Sequence, residues 1–315
     1  MKETWIKWAL LEAVARTSSR LLQKTVGVTS TVIGHTFFAA LLIGIIQTFV
    51  GLAVTLRRKQ KLFDNATNVI GSVAFGILAY VNTVLGFVVF LLNGEVGVSA
   101  FIVGLSIIPG ALIDRVFFNH SLNIRQYIGI LVAILAGYTV INTPSLTDIK
   151  TMPLWVWLTV LNMLGVAINQ GITQKIKSID PFVKNFWGGL TAVVLGLACL
   201  FFVPLDTIIK YPALPKLVGV SILVGVIVIF LWCFNLLSYK NGAYITLKKI
   251  VTQGSYMVLA MLTGAMFFHE SLTVLKMLGV VLYVIAFVMV DTITWNRLFA
   301  KSQAKQTSRA NLIPK

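Results

Sequence analysis

Two stretches of this chain concentrate groups that can hold an anion. Glu12, Arg16 and Arg20 recur at every fourth residue, which on a helix turning 100° per residue keeps them within about 80° of its circumference. Guanidinium forks on one stripe can grip a carboxylate or a phosphate; alternatively Glu12 bridges to Arg16 while Arg20 reaches the interface. The second stretch holds Thr246, Lys249, Gln253 and Tyr256 on one helical stripe, with Lys248 and Thr252 on an adjoining face. A helix start that is polar on two faces belongs among other helices or against water. Arg16, Arg20, Lys248 and Lys249 are therefore the expected anion-binding cations, with Gln253 and Tyr256 beside them.

Neutral polar residues supply the rest of a candidate site. Asn162, Asn169 and Thr173 share one face, flanked by Gln170 and Gln174; amides so placed bind a polar substrate or join helices. Tyr80, Asn82 and Thr83 form another group, Trp232 and Asn235 a third, and Trp187 precedes Gly188-Gly189. Glu12 and His35 are the candidates for carrying a proton. His269-Glu270-Ser271-Leu272-Thr273 ends in threonine where a zinc-protease helix needs histidine. There is no G-x-S-x-G elbow, no phosphate-binding loop and no Cys/His cluster, so no catalytic residue, metal or cofactor is expected.

These groups sit in a sequence built for a bilayer. Of 315 residues, 57% are hydrophobic and 11% charged, with a mean hydropathy of +0.90. That composition excludes an ordinary water-soluble domain and a disordered chain. Cys199 and Cys233 lie within apolar runs and supply no disulfide framework. At about 20 residues per span the chain has room for roughly ten. Nine apolar stretches stand out at 32–56, 67–92, 97–118, 124–142, 154–175, 183–203, 217–238, 243–267 and 273–295, and a charged tenth at 5–22. The tenth would insert poorly alone, but can span inside a bundle where its charges avoid lipid.

The net charge of +16 suggests nucleic acid until it is sorted by side. With the N-terminus in the cytoplasm, the cluster at 57–61, Arg115, Arg125, Lys175, Lys177, Lys184, Lys240 and the tail cations fall on the cytoplasmic side. Only Lys24, Lys150, Lys210, Lys216 and Lys276 fall opposite. This is the positive-inside asymmetry, so most of the charge reports orientation and no nucleic-acid partner is expected. Residues 296–315 read as a basic cytoplasmic tail that touches anionic headgroups.

A shift of 150 residues lays Phe117-Phe118-Asn119-His120-Ser121-Leu122 on Phe267-Phe268-His269-Glu270-Ser271-Leu272, Gly104 on Gly254, Gly129 on Gly279, and Ala136 on Ala286. Five spans per copy is an odd number, so the second copy would enter the membrane inverted. The expected fold is all-α and polytopic: ten transmembrane helices as two inverted five-helix repeats, 1–143 and 154–295.

Ten spans as five plus five, the acidic turn Phe268-His269-Glu270-Ser271-Leu272 with Gly279 beyond it, Asp180-Pro181 and Pro109 together resemble the drug/metabolite transporter superfamily, in particular its bacterial EamA-type members. The chain departs from that pattern at Asn119-His120, which lacks the acidic residue, and in its charged first span. The Lys248-Lys249 pair is similar to what the sugar-phosphate and nucleotide-sugar branch uses to hold phosphate. The resemblance implies a secondary transporter of a small anionic or zwitterionic solute, working by alternating access in a bacterial cytoplasmic membrane with both termini cytoplasmic, as a monomer or homodimer. An integral-membrane enzyme acting on a lipid is the other reading.

Overall fold

The computed structural model describes residues 4–30, 32–63, 65–119, 123–140 and 152–290. The basic tail, and His120-Ser121-Leu122 of the first turn motif, lie outside the described residues. Twelve helices make up the described fold, with no strand among them. They are α1 (Thr4–Gly27), α2 (Ile33–Arg57), α3 (Ala66–Leu91), α4 (Val96–Gly104), α5 (Ile107–Phe118), α6 (Ile124–Val140), α7 (Leu154–Lys175), α8 (Pro181–Leu200), α9 (Leu205–Ile209), α10 (Leu214–Lys240), α11 (Ile245–Phe268) and α12 (Val274–Val290).

Seven segments are long and apolar enough to cross a bilayer: α2, α3, α4 with α5, α7, α8, α10 and α11. Their outward faces carry large apolar residues, among them Phe49, Ile70, Leu112 and Phe230, as lipid contact requires. The fold is that of an all-helical polytopic membrane protein. The charged α1 runs unbroken for 24 residues. It turns Leu10, Leu11 and Val14 outwards and buries Glu12, the reverse of a water-soluble amphipathic helix, and it packs against α10, α11 and α3.

The stretch 97–118, read as one span, consists of two helices. Pro109 lies in the first turn of α5 and has no N–H to return to Leu105; Ile108 bonds the Leu105 carbonyl instead, at 3.0 Å. The short α9, which no apolar period announced, lies in the connection between α8 and α10 and packs against α2.

Helices open at Thr4, Ile33, Ala66, Val96 and Ile124, and again about 150 residues later at Leu154, Pro181, Leu214, Ile245 and Val274. Packing follows the same order. α2 lies on α8 and α6 on α12; α1 on α10 is matched by α7 on α3, α1 on α11 by α7 on α4 and α5, and α3 on α8 by α10 on α2. The principal packing pattern is therefore unchanged when the two sets of helices exchange places. The helices that lead into the two turn motifs also end alike. Asn119 after α5 and His269 after α11 take left-handed conformations (φ 55° and 54°), and their N–H groups return to the carbonyls of Asp114 and Gly264.

Connections gather at two ends of the bundle. The end where α1 begins holds the Thr4–Asn241 hydrogen bond and the Trp187 ring N–H on the Leu62 carbonyl. At the distal end the Tyr211 hydroxyl donates to the Thr29 carbonyl, and Lys24 meets Glu270. Between the ends, α2 and α8 approach backbone to backbone where Gly44, Gly51 and Gly189 leave room.

Candidate functional site

A central cavity of about 110 Å³ is walled by α1, α3, α7 and α10. From α1 come Arg16, Ser19, Arg20 and Gln23; from α7 come Asn162, Val166, Asn169 and Gln170. On the 150-residue shift Ser19 is the counterpart of Asn169, and Arg20 that of Gln170. One wall is thus cationic where its equivalent is neutral amide. The remaining walls supply Asn82 and Thr83 from α3 and Asn235 from α10, with Phe75 and Trp232 meeting edge to face, their centroids 4.6 Å apart.

Glu12 organises the charged side. It is 1% exposed, receives Arg16 Nη2 at 2.9 Å and Lys248 Nζ at 2.7 Å, and accepts from Asn235 Nδ2 at 3.1 Å. Gln170 Oε1 accepts three donors, Asn235 Nδ2 (3.0 Å), Tyr239 Oη (2.6 Å) and Lys248 Nζ (2.9 Å). α1, α7, α10 and α11 are joined through this network, and a buried charge held by several partners is what makes such burial tolerable.

Arg20 is differently placed. Its guanidinium donates to Gln23 Oε1 at 3.2 Å and lies 5.9 Å from the Phe90 ring centroid, with no carboxylate partner among the described residues. Several amide atoms in the wall are also unsatisfied: Asn162 Oδ1 and Nδ2, Asn169 Oδ1 and Asn235 Oδ1. Buried polar groups are normally hydrogen-bonded, so a guanidinium without a counter-charge beside unsatisfied amide atoms is an arrangement that a polar, anionic ligand would complete.

The structure brings Arg16, Arg20, Asn162 and Asn169 around one cavity and Lys248 onto Glu12 behind it. It distributes the other candidates elsewhere. Lys249 donates to Ser106 Oγ from an adjoining face of α11. Gln253 is buried, and Tyr256 packs with Ala13, Phe90 and Ala260, its ring 6.0 Å from the Arg16 guanidinium. Tyr80 packs between Ala40 and Ala192. Trp187 holds the Leu62 carbonyl at 2.9 Å near the end where α1 begins. His35 stacks on Tyr211 at 4.0 Å, with Nε2 3.2 Å from the Thr207 carbonyl, near the distal end. None of these six lines the cavity.

Three lysines that the sequence assigns to the two sides of the membrane are buried in the bundle. Lys24 pairs with Glu270 and Lys276 with Glu95. Lys184, with 0% exposure, donates to Thr173 Oγ1 at 3.0 Å, its Nζ 3.6 Å from the Phe75 ring centroid. All three stand within a turn of a helix end, where a long aliphatic stem can reach back into the bundle. Ser19 and Gln23 were the missed cavity residues with a visible signal, since they continue the stripe of Arg16 and Arg20 at helical spacing. Phe75 carried none.

Two helix starts are capped from the other set of helices. Asp114 on α5 accepts from Thr246 N (2.8 Å) and Thr246 Oγ1 (2.6 Å) at the start of α11. Glu270, after α11, accepts from Val96 N (2.6 Å) and Gly97 N (3.0 Å) at the start of α4. Carboxylates there meet unpaired N–H groups and the positive end of the helix dipole.

No protein-family model matches the chain, and no curated protein does. A solved structure described only as "Crystal structure of protein" is similar to it in fold, with a TM-score of 0.66 over 95% of this chain and 99% of that one, at 15% identity. A likeness at that identity carries the fold alone.

Proposed function

We propose that the protein is a secondary transporter that moves a small organic solute with an anionic group across a membrane by alternating access. The observation that carries this reading is the central cavity, in which Arg20 and unsatisfied amides of α7 and α10 face one another between helices of both sets. Ionisable groups at membrane depth mark a pathway or a site, and a site between repeated bundles is where such transporters bind.

In this reading the ten helical passes are α1, α2, α3, α4 with α5, α6, α7, α8, α10, α11 and α12, and the two sets are inverted repeats. The interchangeable packing and the matched left-handed caps at Asn119 and His269 support it. The resemblance to the drug/metabolite transporter superfamily points the same way, with the termini in the cytoplasm of a bacterial inner membrane. Arg20 holds the anionic end, Arg16 is shared between substrate and Glu12, and Asn162 and Asn169 bind the neutral part. Rocking of the two sets around the bound solute exposes it to each side in turn.

Purified protein reconstituted in liposomes is the test. A thermal-shift screen of phosphorylated sugars, nucleotides, amino acids and carboxylates selects the solute, since a ligand of the folded state raises its apparent stability. The labelled solute should enter protein-containing vesicles and not empty ones, and Arg20→Ala should abolish uptake while retaining the fold. Uptake unchanged in Arg20→Ala overturns the site, and no stabilising or transported anion overturns the function.

A further inference from the structure

Lys184 is a buried cation that the central network does not use. Its ammonium has three N–H donors. Thr173 Oγ1 takes one at 3.0 Å and the Phe75 ring faces the charge at 3.6 Å, and no carboxylate lies within ion-pair distance of it among the described residues. Glu12 is already engaged by Arg16 and Lys248. A charge so buried is costly without a counter-charge, so its position calls for a mobile one.

Its surroundings show where that counter-charge would come from. On one side, Phe75 and Trp232 belong to the cavity wall, and Lys184 stands behind Phe75 without lining the cavity itself. On the other side, an open vestibule of about 580 Å³ is lined by Lys59, Lys61 and Lys240 with Asp180 and Val183. Val183 adjoins Lys184 in α8 and packs with Ile176, Ile179 and Leu236. Basic groups thus succeed one another from vestibule to cavity, separated by an apolar cluster on one side of Lys184 and an aromatic pair on the other.

We propose that Lys184 is a second anion site, a relay at which the anionic group of the solute pauses between the central cavity and the basic vestibule at the end where α1 begins. This rests on the anion-transport reading and specifies the route. Displacing Phe75 brings the ammonium into the cavity, while parting Val183 from Leu236 opens it to the vestibule.

A native thiol beside the site reports on it without any transported solute. Cys233 Sγ is 3.6 Å from Asn185 Nδ2, next to Lys184 in sequence. In Cys199→Ala protein, where Cys233 is the remaining thiol, the rate of the anionic 2-sulfonatoethyl methanethiosulfonate at Cys233 over that of its cationic trimethylammonioethyl analogue should exceed the same ratio for a free thiol in solution about tenfold, as charge steering provides. The ratio cancels any change in the thiol's own reactivity. Lys184→Met should return it to the free-thiol ratio, and Lys184→Arg should keep it raised. Inorganic phosphate should protect Cys233 of the Lys184 protein from an uncharged methanethiosulfonate, which covers the case that Lys184→Met does not fold. An unmodified Cys233, a ratio that ignores Lys184→Met, or no protection by phosphate overturns the proposal. Anion uptake together with any of these outcomes leaves the transport reading standing and removes only the relay.

Discussion

The carboxylate of Glu270 occupies the space that a side chain at Gly264 would fill. A Cβ built on Gly264 would stand 2.5 Å from Glu270 Oε2, the atom that accepts from Gly97 N. On the 150-residue shift Gly264 is the counterpart of Asp114, which supplies the carboxylate that caps α11. One set of helices provides its cap from the helix itself; the other leaves the place empty and fills it from the following turn.

Gly264→Ala should therefore uncap α4 and loosen Lys24, although alanine favours helix. Loss of a cap costs about 1 kcal/mol and of a charged hydrogen bond about 1.5–3, so the melting temperature in detergent should fall by several degrees. Gly219→Ala is the control. A Cβ there meets nothing within 4 Å, and the substitution should hold or raise stability by up to about 1 kcal/mol. Equal behaviour of the two variants would dismiss the Glu270 cap.

Glu12→Gln leaves Arg16 and Lys248 without their shared anion. The expected loss is about 3–5 kcal/mol. Adding Lys248→Met in the same chain should return much of it, since the orphaned ammonium is then gone. Denaturation of the two single variants and the double variant measures the coupling, and strictly additive losses would contradict the pairing.

Asn162→Leu should separate stability from function. Both polar atoms of Asn162 lack partners, and an unsatisfied buried group costs about 1–3 kcal/mol. A leucine of similar size should raise the melting temperature and weaken solute binding, as read by thermal shift with and without solute. A variant that loses stability and keeps affinity would place Asn162 among structural residues.

Arg20 and Lys249 should differ sharply. Arg20→Lys replaces a planar fork with a point charge and should weaken binding of the solute about tenfold, whereas Lys249→Met removes a cation that faces Ser106 and should change affinity less than twofold. Isothermal titration with the solute found by screening distinguishes them; a larger effect at Lys249 would move the site to α11.

Much of this arrangement is legible in the sequence because burial in a bilayer leaves periodic marks. The stripe of Glu12, Arg16 and Arg20 and the amides of Asn162 and Asn169 share helix faces, and those faces line or adjoin the cavity. Pro109 marks the break that divides α4 from α5, although the unbroken apolar run 97–118 reads as one span. Lys184 was illegible, because a cation four residues after Asp180 resembles a solvated helix start, and only the path of its side chain shows otherwise. Glu270 and Lys24 are separated by most of the chain, so no local pattern could reveal their meeting. Lys248 and Lys249, adjacent in sequence, point to different partners, and which of them meets Glu12 depends on the rotation of α11.

The interruption at Pro109 has a further meaning for motion. Its counterpart on the 150-residue shift is Leu259, within the unbroken α11. The two sets of helices match in order and packing, yet one carries a joint where the other carries a rod. In the alternating-access reading, bending at α4–α5 would meet less resistance than bending at the continuous α11, and the openings toward the two faces of the membrane would not be mirror images. A transporter that rocks two matched sets of helices would then take a preferred direction of flexing from one imino acid.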